Sequence, residues 1–337
     1  MQVAIIGATG AVGREMLKDL SASPHAGRLK RVAAFASSKS AGSRVEFGAS
    51  TLVVEEFSVS KLKGFDYALM SAGGAFSREF AELIVSQGTT VIDNSSAWRM
   101  NPKYPLVVPE VNGDILKTVK KPTLVANPNC STIQLVCALK PLADAFGLKG
   151  VNVATYQSVS GTGNKGIAEL GEQVEKHLRF QPIEAKVYRQ PIAFNVLPAI
   201  DVIDSAGHCF EEEKMVRETR RILDHASLDI LATTARVPTI HCHCEAVTVD
   251  LGRDVTVPEV LECFKSGKGL VVYESAGHET FPTPRSVVGD HRVHISRVRL
   301  PLEASRSSKV QFWIVADNLK KGASTNAVQI LDQFESR

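Results

Sequence analysis

The chain has 337 residues, 44% of them hydrophobic, which is enough to bury a large core and long enough for two domains or for one with a big insertion. A formal net charge of +3, with Lys and Arg scattered and no basic run interleaved with aromatics, argues against nucleic acid and points to small molecules as partners. The N-terminus enters a strand pattern at once and no apolar stretch approaches membrane-spanning length, so no leader and no membrane are expected and the expected location is cytoplasmic.

Residues 2–6 are β-rich and lead into Gly7-Ala8-Thr9-Gly10-Ala11-Val12-Gly13, after which Val12, Met16, Leu17 and Leu20 recur at helical spacing. Strand, glycine turn and helix in that order suit a dinucleotide: glycines let the backbone approach a pyrophosphate, and the helix N-terminus supplies N–H donors. The spacing is GxxGxxG rather than GxGxxG, and tight turns use glycine anyway. Gly7, Thr9, Gly10, Ala11, Val12 and Gly13 are the candidate cofactor contacts. The next strand, 31–36, ends in Ser37-Ser38-Lys39-Ser40, where an NAD-binding unit usually carries an acid. Hydroxyls and an ammonium at Ser37, Lys39 and Ser40 suit a 2′-phosphate and favour NADP(H); the alternative is a polar solvated turn.

Strands are expected at 67–71 and 90–93 with a helix over 77–86 between them, which argues a parallel, doubly wound sheet. Arg99 follows the second of these strands, where ligands bind in open α/β sheets, and is a candidate anion-binding residue. Residues 124–126 then run through Asn127-Pro128-Asn129 into Cys130 and a helix-like segment. A thiol at a helix mouth is favoured as thiolate and becomes a nucleophile near neutral pH. The competing reading is a small buried residue with no chemistry. The six cysteines follow no small-scaffold spacing and read as reduced thiols.

From residue 151 the pattern changes to longer strand-like runs, 151–157, 246–251, 269–273, 291–300 and 310–316, with few helices. This reads as a mixed α+β domain with a largely antiparallel sheet. Residues 211–225 form one clear amphipathic helix, with Glu211 and Lys214 in its first turn, where a capping acid beside a solvated lysine is the plain alternative. In Arg236-Val237-Pro238-Thr239-Ile240-His241-Cys242-His243-Cys244-Glu245, an extended backbone would put His241 and His243 on one face and Cys242 and Cys244 on the other. That is poor geometry for zinc, and no metal is expected. An imidazole serving Cys130 is the better use.

The glycine turn, Asn127-Pro128-Asn129-Cys130, Gln157 with Ser160-Gly161-Thr162-Gly163, Glu211-x-x-Lys214, Arg236-Val237-Pro238 ahead of His243, and Asp317-Asn318-Leu319-Lys320-Lys321-Gly322-Ala323 stand in the order of one family. Together, over essentially the whole chain, they resemble the aspartate-β-semialdehyde dehydrogenases. The resemblance implies an α/β chain: a Rossmann-type dinucleotide-binding domain of residues 1–129 with a C-terminal helix of 318–337, and a catalytic and dimerisation domain of residues 130–317. It implies NADPH-dependent reduction of 4-phospho-L-aspartate to the semialdehyde, or the reverse with inorganic phosphate, in lysine, threonine and methionine biosynthesis. Cys130 would carry the thioacyl group, with His243 as acid/base, and Gln157, Arg236 and Glu211 would bind the substrate. Arg99, Asn129 and Lys214 would cradle phosphate, Ser160, Gly161 and Asn318 would lie near the cofactor, and the protein would be a homodimer or homotetramer. The family usually has Gly-His-Ser where this chain has Cys242-His243-Cys244. A catalytically idle relative that binds a nucleotide or partner, and an N-acylglutamyl-phosphate reductase, are the alternatives.

Overall fold

The run Gln2–Ile6 forms β1, and its last four residues are buried, as a central strand covered on both faces requires. Six more strands share its sheet: β2 (Arg31–Ala36), β3 (Arg44–Phe47), β4 (Ser50–Glu56), β5 (Tyr67–Met70), β6 (Thr90–Asp93) and β7 (Leu124–Ala126). In the computed structural model, which describes residues 1–274 and 281–336, the order across the sheet is β3-β4-β2-β1-β5-β6-β7. All pairings are parallel except that of β3 with β4. The chain winds outward from β1 through β2 and β4, then returns to β5 and winds the other way, so the topological switch lies between β1 and β5. The sequence pattern does not reveal β3 and β4, because only Val45 and Val54 of their residues are buried. This hairpin brings Glu55 and Glu56 beside Phe35 and Ala36 at the end of β2.

The helix after β1 runs Ala11–Ala22 and buries Met16, Leu17 and Leu20. The helix Gly74–Ser86, expected from residue 77, begins one turn earlier. Two compact units emerge: Met1–Asn129 with Gly322–Arg337, and Cys130–Lys321. The final helix is Thr325–Glu335, preceded by a π-helical turn at Lys320–Ser324. It is pinned within the first unit by side-chain hydrogen bonds. Ser324 and Thr325 hydroxyls donate to Asp19 at 2.6 and 2.9 Å, and the Asn326 amide donates to Val107 O at 2.9 Å and Asn127 Oδ1 at 2.6 Å. From the sequence, this C-terminal piece is expected to start at 318. Residues 318–321 instead belong to the second unit, where Asn318 is engaged with Ser158, Ser160 and Cys242, and residue 337 lies outside the described residues.

The second unit is built on a sheet of β8 (Leu148–Gln157), β9 (Asp229–Arg236), β10 (His243–Val255), β11 (Leu270–Val272), β12 (Val293–Arg299) and β13 (Ser307–Ala316), in the order β11-β12-β13-β10-β8-β9. The two outer pairings are parallel and the three inner ones antiparallel. Along β8, Val151, Val153, Thr155 and Gln157 are buried while Lys149, Asn152 and Tyr156 are exposed, the period-2 signature of a sheet covered on one face. The cover is the helix Cys130–Phe146, which packs across β8, β10 and β13 between the helices Phe210–Ile222 and Val257–Ser266. The second of these three, expected to reach 225, stops at Ile222, and Asp224 takes a positive φ of 51° just beyond it. Among the described residues no helix is long and apolar enough to cross a membrane.

Two glycines of the first turn are required by space. Gly7 has φ +86°, and a Cβ there would sit 2.2 Å from the carbonyl oxygen of Ser71; one at Gly13 would sit 2.2 Å from that of Gly7. Gly7→Ala is therefore expected to lower the unfolding free energy by about 3 kcal/mol, from backbone strain plus overpacking. Urea unfolding measures this, and an unchanged midpoint would mean that the turn relaxes at no cost.

Candidate active site

Three strands of the second unit end at the same level, and each contributes one polar residue there. His243 begins β10 and is paired in register with Gln157, the last residue of β8; Gln157 is in turn paired with Arg236, the last residue of β9. Register partners project to one face of a sheet, so residues 157, 236 and 243 form a row although they are far apart in sequence. All three are buried.

The row is held by hydrogen bonds. The main-chain N–H of Ser158 donates to His243 Nδ1 at 3.1 Å, and Ser158 Oγ lies 3.2 Å from the same nitrogen. Arg236 Nη1 donates to Ser158 O at 2.7 Å. Asn318 follows β13, whose Ala316 is the register partner of His243. Its Oδ1 accepts from Ser158 Oγ at 3.2 Å, Ser160 Oγ at 3.1 Å and the Cys242 N–H at 2.9 Å, while its Nδ2 donates to Ser160 Oγ at 2.9 Å. Gly161 closes the edge: a Cβ on it would lie 2.9 Å from Arg236 Nη1 and 3.3 Å from both Cε1 and Nε2 of His243. Burial, with the nearby Arg236 charge adding to it, pushes the His243 imidazole down to about 3.

The stretch before His243 is not the continuous strand that the sequence suggests. Arg236 ends β9, β10 starts at His243, and Cys242 between them has φ +68°, so His241 and His243 do not share a strand face. Cys242 thus occupies the left-handed region, where a residue with a Cβ is strained and glycine is at ease. Burial raises the Cys242 thiol and pushes that of Cys244 up to about 12, so both stay protonated near neutral pH. All six cysteines carry thiols rather than disulfides. Cys130 is the first residue of its helix, as the sequence reading has it.

Glu211 is almost fully buried in the first turn of the helix Phe210–Ile222. Its Oε1 accepts from Gln157 Nε2 at 3.2 Å, and its Oε2 lies 2.5 Å from Lys214 Nζ, which also meets Asp201 at 2.8 Å. Burial works to lower the Lys214 ammonium, but Glu211 and Asp201 outweigh it and its pKa stands above the usual lysine value. The cap of this helix is Glu212 rather than Glu211: its carboxylate accepts from the Cys209 and Thr234 N–H groups at 2.9 and 3.0 Å. Lys214 is accordingly a half-buried ion-pair partner and not a solvated lysine. Ser158 and Asp201 carry no sequence signal beyond membership of loops, since what matters is a main-chain N–H in one case and a long-range pairing in the other.

In the first unit, the glycine turn opens the helix Ala11–Ala22 at the carboxyl end of β1, beside the switch. A Cβ at Gly7 or Gly13 would strike the chain's own backbone, so these glycines hold the tight turn that presents the helix N-terminus, and residues 7–13 fit the pyrophosphate of a nucleotide cofactor. Ser38–Ser40 is a 3-10 turn after β2, with Lys39 exposed and Thr9 Oγ1 3.5 Å from Ser40 Oγ. Arg99 is buried beyond β6, donating from Nε to Asn127 O at 2.9 Å and from Nη2 to Asn94 O at 2.7 Å. Asn129 is buried at the end of the loop that leads from β7 to Cys130.

A nucleotide-binding sheet followed by a unit carrying a buried Gln–Arg–His row and a helix-mouth cysteine defines the semialdehyde dehydrogenase class. Models of that class match as the semialdehyde dehydrogenase NAD binding domain over residues 2–119 and the semialdehyde dehydrogenase dimerisation domain over residues 139–321. The chain belongs to the aspartate-semialdehyde dehydrogenase family. It is 40% identical to the aspartate-semialdehyde dehydrogenase of Aquifex aeolicus, over 98% of this chain and 97% of that protein. It is 42% identical to that of Legionella pneumophila, over 98% and 95%. Among solved structures, aspartate semialdehyde dehydrogenase II of Vibrio cholerae complexed with ASA superposes with a TM-score of 0.93 at 39% identity, covering 100% of this chain and 99% of that one.

Two residues along β10 from His243, on the same face, Glu245 is fully buried, with neither carboxyl oxygen in a well-formed hydrogen bond among the described residues, and burial raises its pKa well above the usual range, which the Gln134 side chain nearby only partly offsets. A carboxyl whose folded pKa is raised costs no stability below its unfolded pKa, about 4.3, and progressively more as pH climbs towards its folded value. Glu245→Gln is therefore expected to raise the urea midpoint at pH ~7 and to leave it nearly unchanged at pH ~4. Equal effects at the two pH values would show that Glu245 does not carry this linkage.

Proposed function

We propose that the protein is an NADP(H)-dependent aspartate-semialdehyde dehydrogenase of the cytoplasm, reducing 4-phospho-L-aspartate through a thioacyl group on Cys130 and releasing phosphate. The observation that carries this is the buried row of Gln157, Arg236 and His243, with Glu211 bonded to the first of them. Arg236 offers a planar guanidinium for the substrate α-carboxylate, and Glu211 offers the opposite charge for its ammonium, so the site is complementary to a free amino acid. Gln157 orients the acyl group, and His243 serves as acid/base at the reacting carbonyl. Arg99, Asn129 and Lys214 are the phosphate-binding residues of this reading.

A bound nicotinamide cofactor would supply the hydride. Gly7, Thr9, Gly10, Ala11, Val12 and Gly13 would hold its pyrophosphate, and Ser37, Lys39 and Ser40 its 2′-phosphate. Ser160 and Asn318 spend their side chains on one another and on Ser158, so cofactor contact at that end falls to Gly161 and to main chain. The reading includes a homodimer formed through the second unit. Its support is the matched dimerisation domain and the sheet face left uncovered among the described residues, where the rings of Tyr156 and Trp313 meet tilted at 5.4 Å and Leu231 is 62% exposed.

The test is rapid mixing of the enzyme with aspartate semialdehyde and NADP. Without phosphate a single-turnover burst of NADPH is expected, because thioacyl formation precedes phosphate attack; with phosphate, steady turnover follows. Steady turnover without phosphate would make water the acceptor and end the phosphate assignments. Cys130→Ala should abolish both phases while NADP affinity is retained, and appreciable residual turnover would remove the covalent step. Lys39→Asp should weaken NADP selectively through like-charge repulsion with the 2′-phosphate. Equal losses for NAD and NADP would move that phosphate elsewhere.

A further inference from the structure

Lys214 faces two carboxylates where one would neutralise it. Glu211 Oε2 stands 2.5 Å from its Nζ and Asp201 Oδ2 stands 2.8 Å from it, while the centre of the Phe210 ring lies 4.9 Å away. The two acids are not alike. The Glu211 side chain is almost fully buried and its other oxygen accepts from Gln157, a member of the buried row, whereas Asp201 is half-exposed. Asp201 is brought to the lysine by a turn with its own hydrogen bonds. The N–H of Phe210, the first residue of the helix, donates to Val202 O at 2.9 Å, Ile203 bridges to Cys209, and the Asp204 carboxylate accepts from the Ala206 and His208 N–H groups at 2.8 and 2.9 Å. Asp201 itself has φ +69°, a left-handed backbone that Asp and Asn tolerate better than most residues.

Asp201, Glu211 and Lys214 together carry one surplus negative charge, and Arg236 of the row carries one positive charge. A zwitterion with its carboxylate on Arg236 and its ammonium on Glu211 balances both. Lys214 then loses its nearer partner, and a cation held out of water must keep a counter-ion. We infer that Asp201 is a positioning residue that selects for a free amino group: it holds the charge of Lys214 so that Glu211 is available to the ammonium of the substrate. The inference deepens the dehydrogenase reading and rests on it for the identity of the amino acid. Without Asp201, Lys214 and the incoming ammonium share one carboxylate, and the preference for an amine over the same chain lacking one shrinks. An acylated amine carries no charge and gains nothing from the arrangement. The Lys214 ammonium agrees, since Glu211 and Asp201 raise it despite burial. Phosphate stands on the other side of this balance. Asp201 competes with a phosphate dianion for Lys214, so loss of Asp201 does not weaken phosphate.

Titration calorimetry of the full-length protein with L-aspartate and with succinate tests this, because the two ligands share a carbon chain and both carboxylates and differ in the ammonium. Wild type is expected to bind L-aspartate the more tightly. Asp201→Asn keeps the size of the side chain and suits the left-handed backbone. It should weaken L-aspartate about tenfold and leave succinate within about twofold. In a Lys214→Met background the same change should have no further effect, since no lysine is left to compete for Glu211. Equal weakening of the two ligands, or an undiminished loss in Lys214→Met, would mean that Asp201 merely props its loop, and overturns the inference. A wild type that binds the two ligands equally overturns it as well. If the Lys214→Met variants do not fold, the two ligands on wild type and Asp201→Asn decide. In turnover, Asp201→Asn should raise the KM for aspartate semialdehyde about tenfold, change kcat by less than about threefold, and leave the KM for phosphate no higher. A parallel rise in both KM values speaks against the selecting role and overturns it. Calorimetry needs neither cofactor nor turnover, so a wild type that fails to reduce NADP with aspartate semialdehyde and phosphate ends the dehydrogenase reading while the selection for an amine is judged separately.

Discussion

The hydrogen bond from the Ser158 main chain to His243 Nδ1 is the contact on which the second unit's polar interior depends. It joins the end of β8 to the start of β10, and the loops on both sides of it are held by further hydrogen bonds. Asn318 is the hub. Its carbonyl oxygen collects the Ser158 hydroxyl, the Ser160 hydroxyl and the Cys242 N–H, so one side chain arriving from β13 fixes the loops flanking both partners. A buried network of this kind is stabilising only when its members are all satisfied, and loss of the hub would strand several donors at once. The left-handed Cys242 follows from the same geometry: the backbone must bend there to aim its N–H at Asn318 and still begin β10 at His243.

The charged groups are distributed by a division of labour along one helical turn. Glu211, Glu212 and Glu213 are consecutive, and each faces a different direction. Glu211 turns inward to Gln157 and Lys214, Glu212 caps the helix, and Glu213 pairs with Arg217 on the surface at 2.6 Å. Because Glu212 satisfies the helix N-terminus, Glu211 is left for the interior. A buried Glu–Lys pair contributes little net stability once desolvation is counted, so its presence is better understood as positioning than as reinforcement. Asp201, arriving from a loop, holds the lysine from the other side.

The cysteines show how environment, and not residue type, separates the proposed nucleophile from packing. Cys242 lies in an apolar cluster with Cys244, Val287 and Val315, and burial there keeps both thiols protonated. Cys130 differs in standing at the first turn of a helix, where the backbone N–H groups and the dipole favour a thiolate. The three cysteines look equivalent as letters, and only their backbone settings distinguish them.

Much of the molecule was legible from the order of residues. Period-3.6 and strand-like runs located the central strands and the main helices, because those patterns record which faces are buried. The glycine turn was readable because sterics at Gly7 and Gly13 admit no side chain. The Cys130 helix mouth was readable because strand, turn and helix are contiguous. Other features had no local signature. The β3–β4 hairpin is too sparsely buried to alternate, the break at Cys242 is hidden inside a run that looks extended, and the boundary near residue 318 is set by side-chain partners some 160 positions away. What the chain determined by itself were the chemical groups and the elements that carry them, since these depend on neighbours within a turn or a strand. What only tertiary structure decided was the row of Gln157, Arg236 and His243 and the contact that holds His243 in it. Both depend on strand register and on a main-chain N–H, which pair residues with no proximity in sequence.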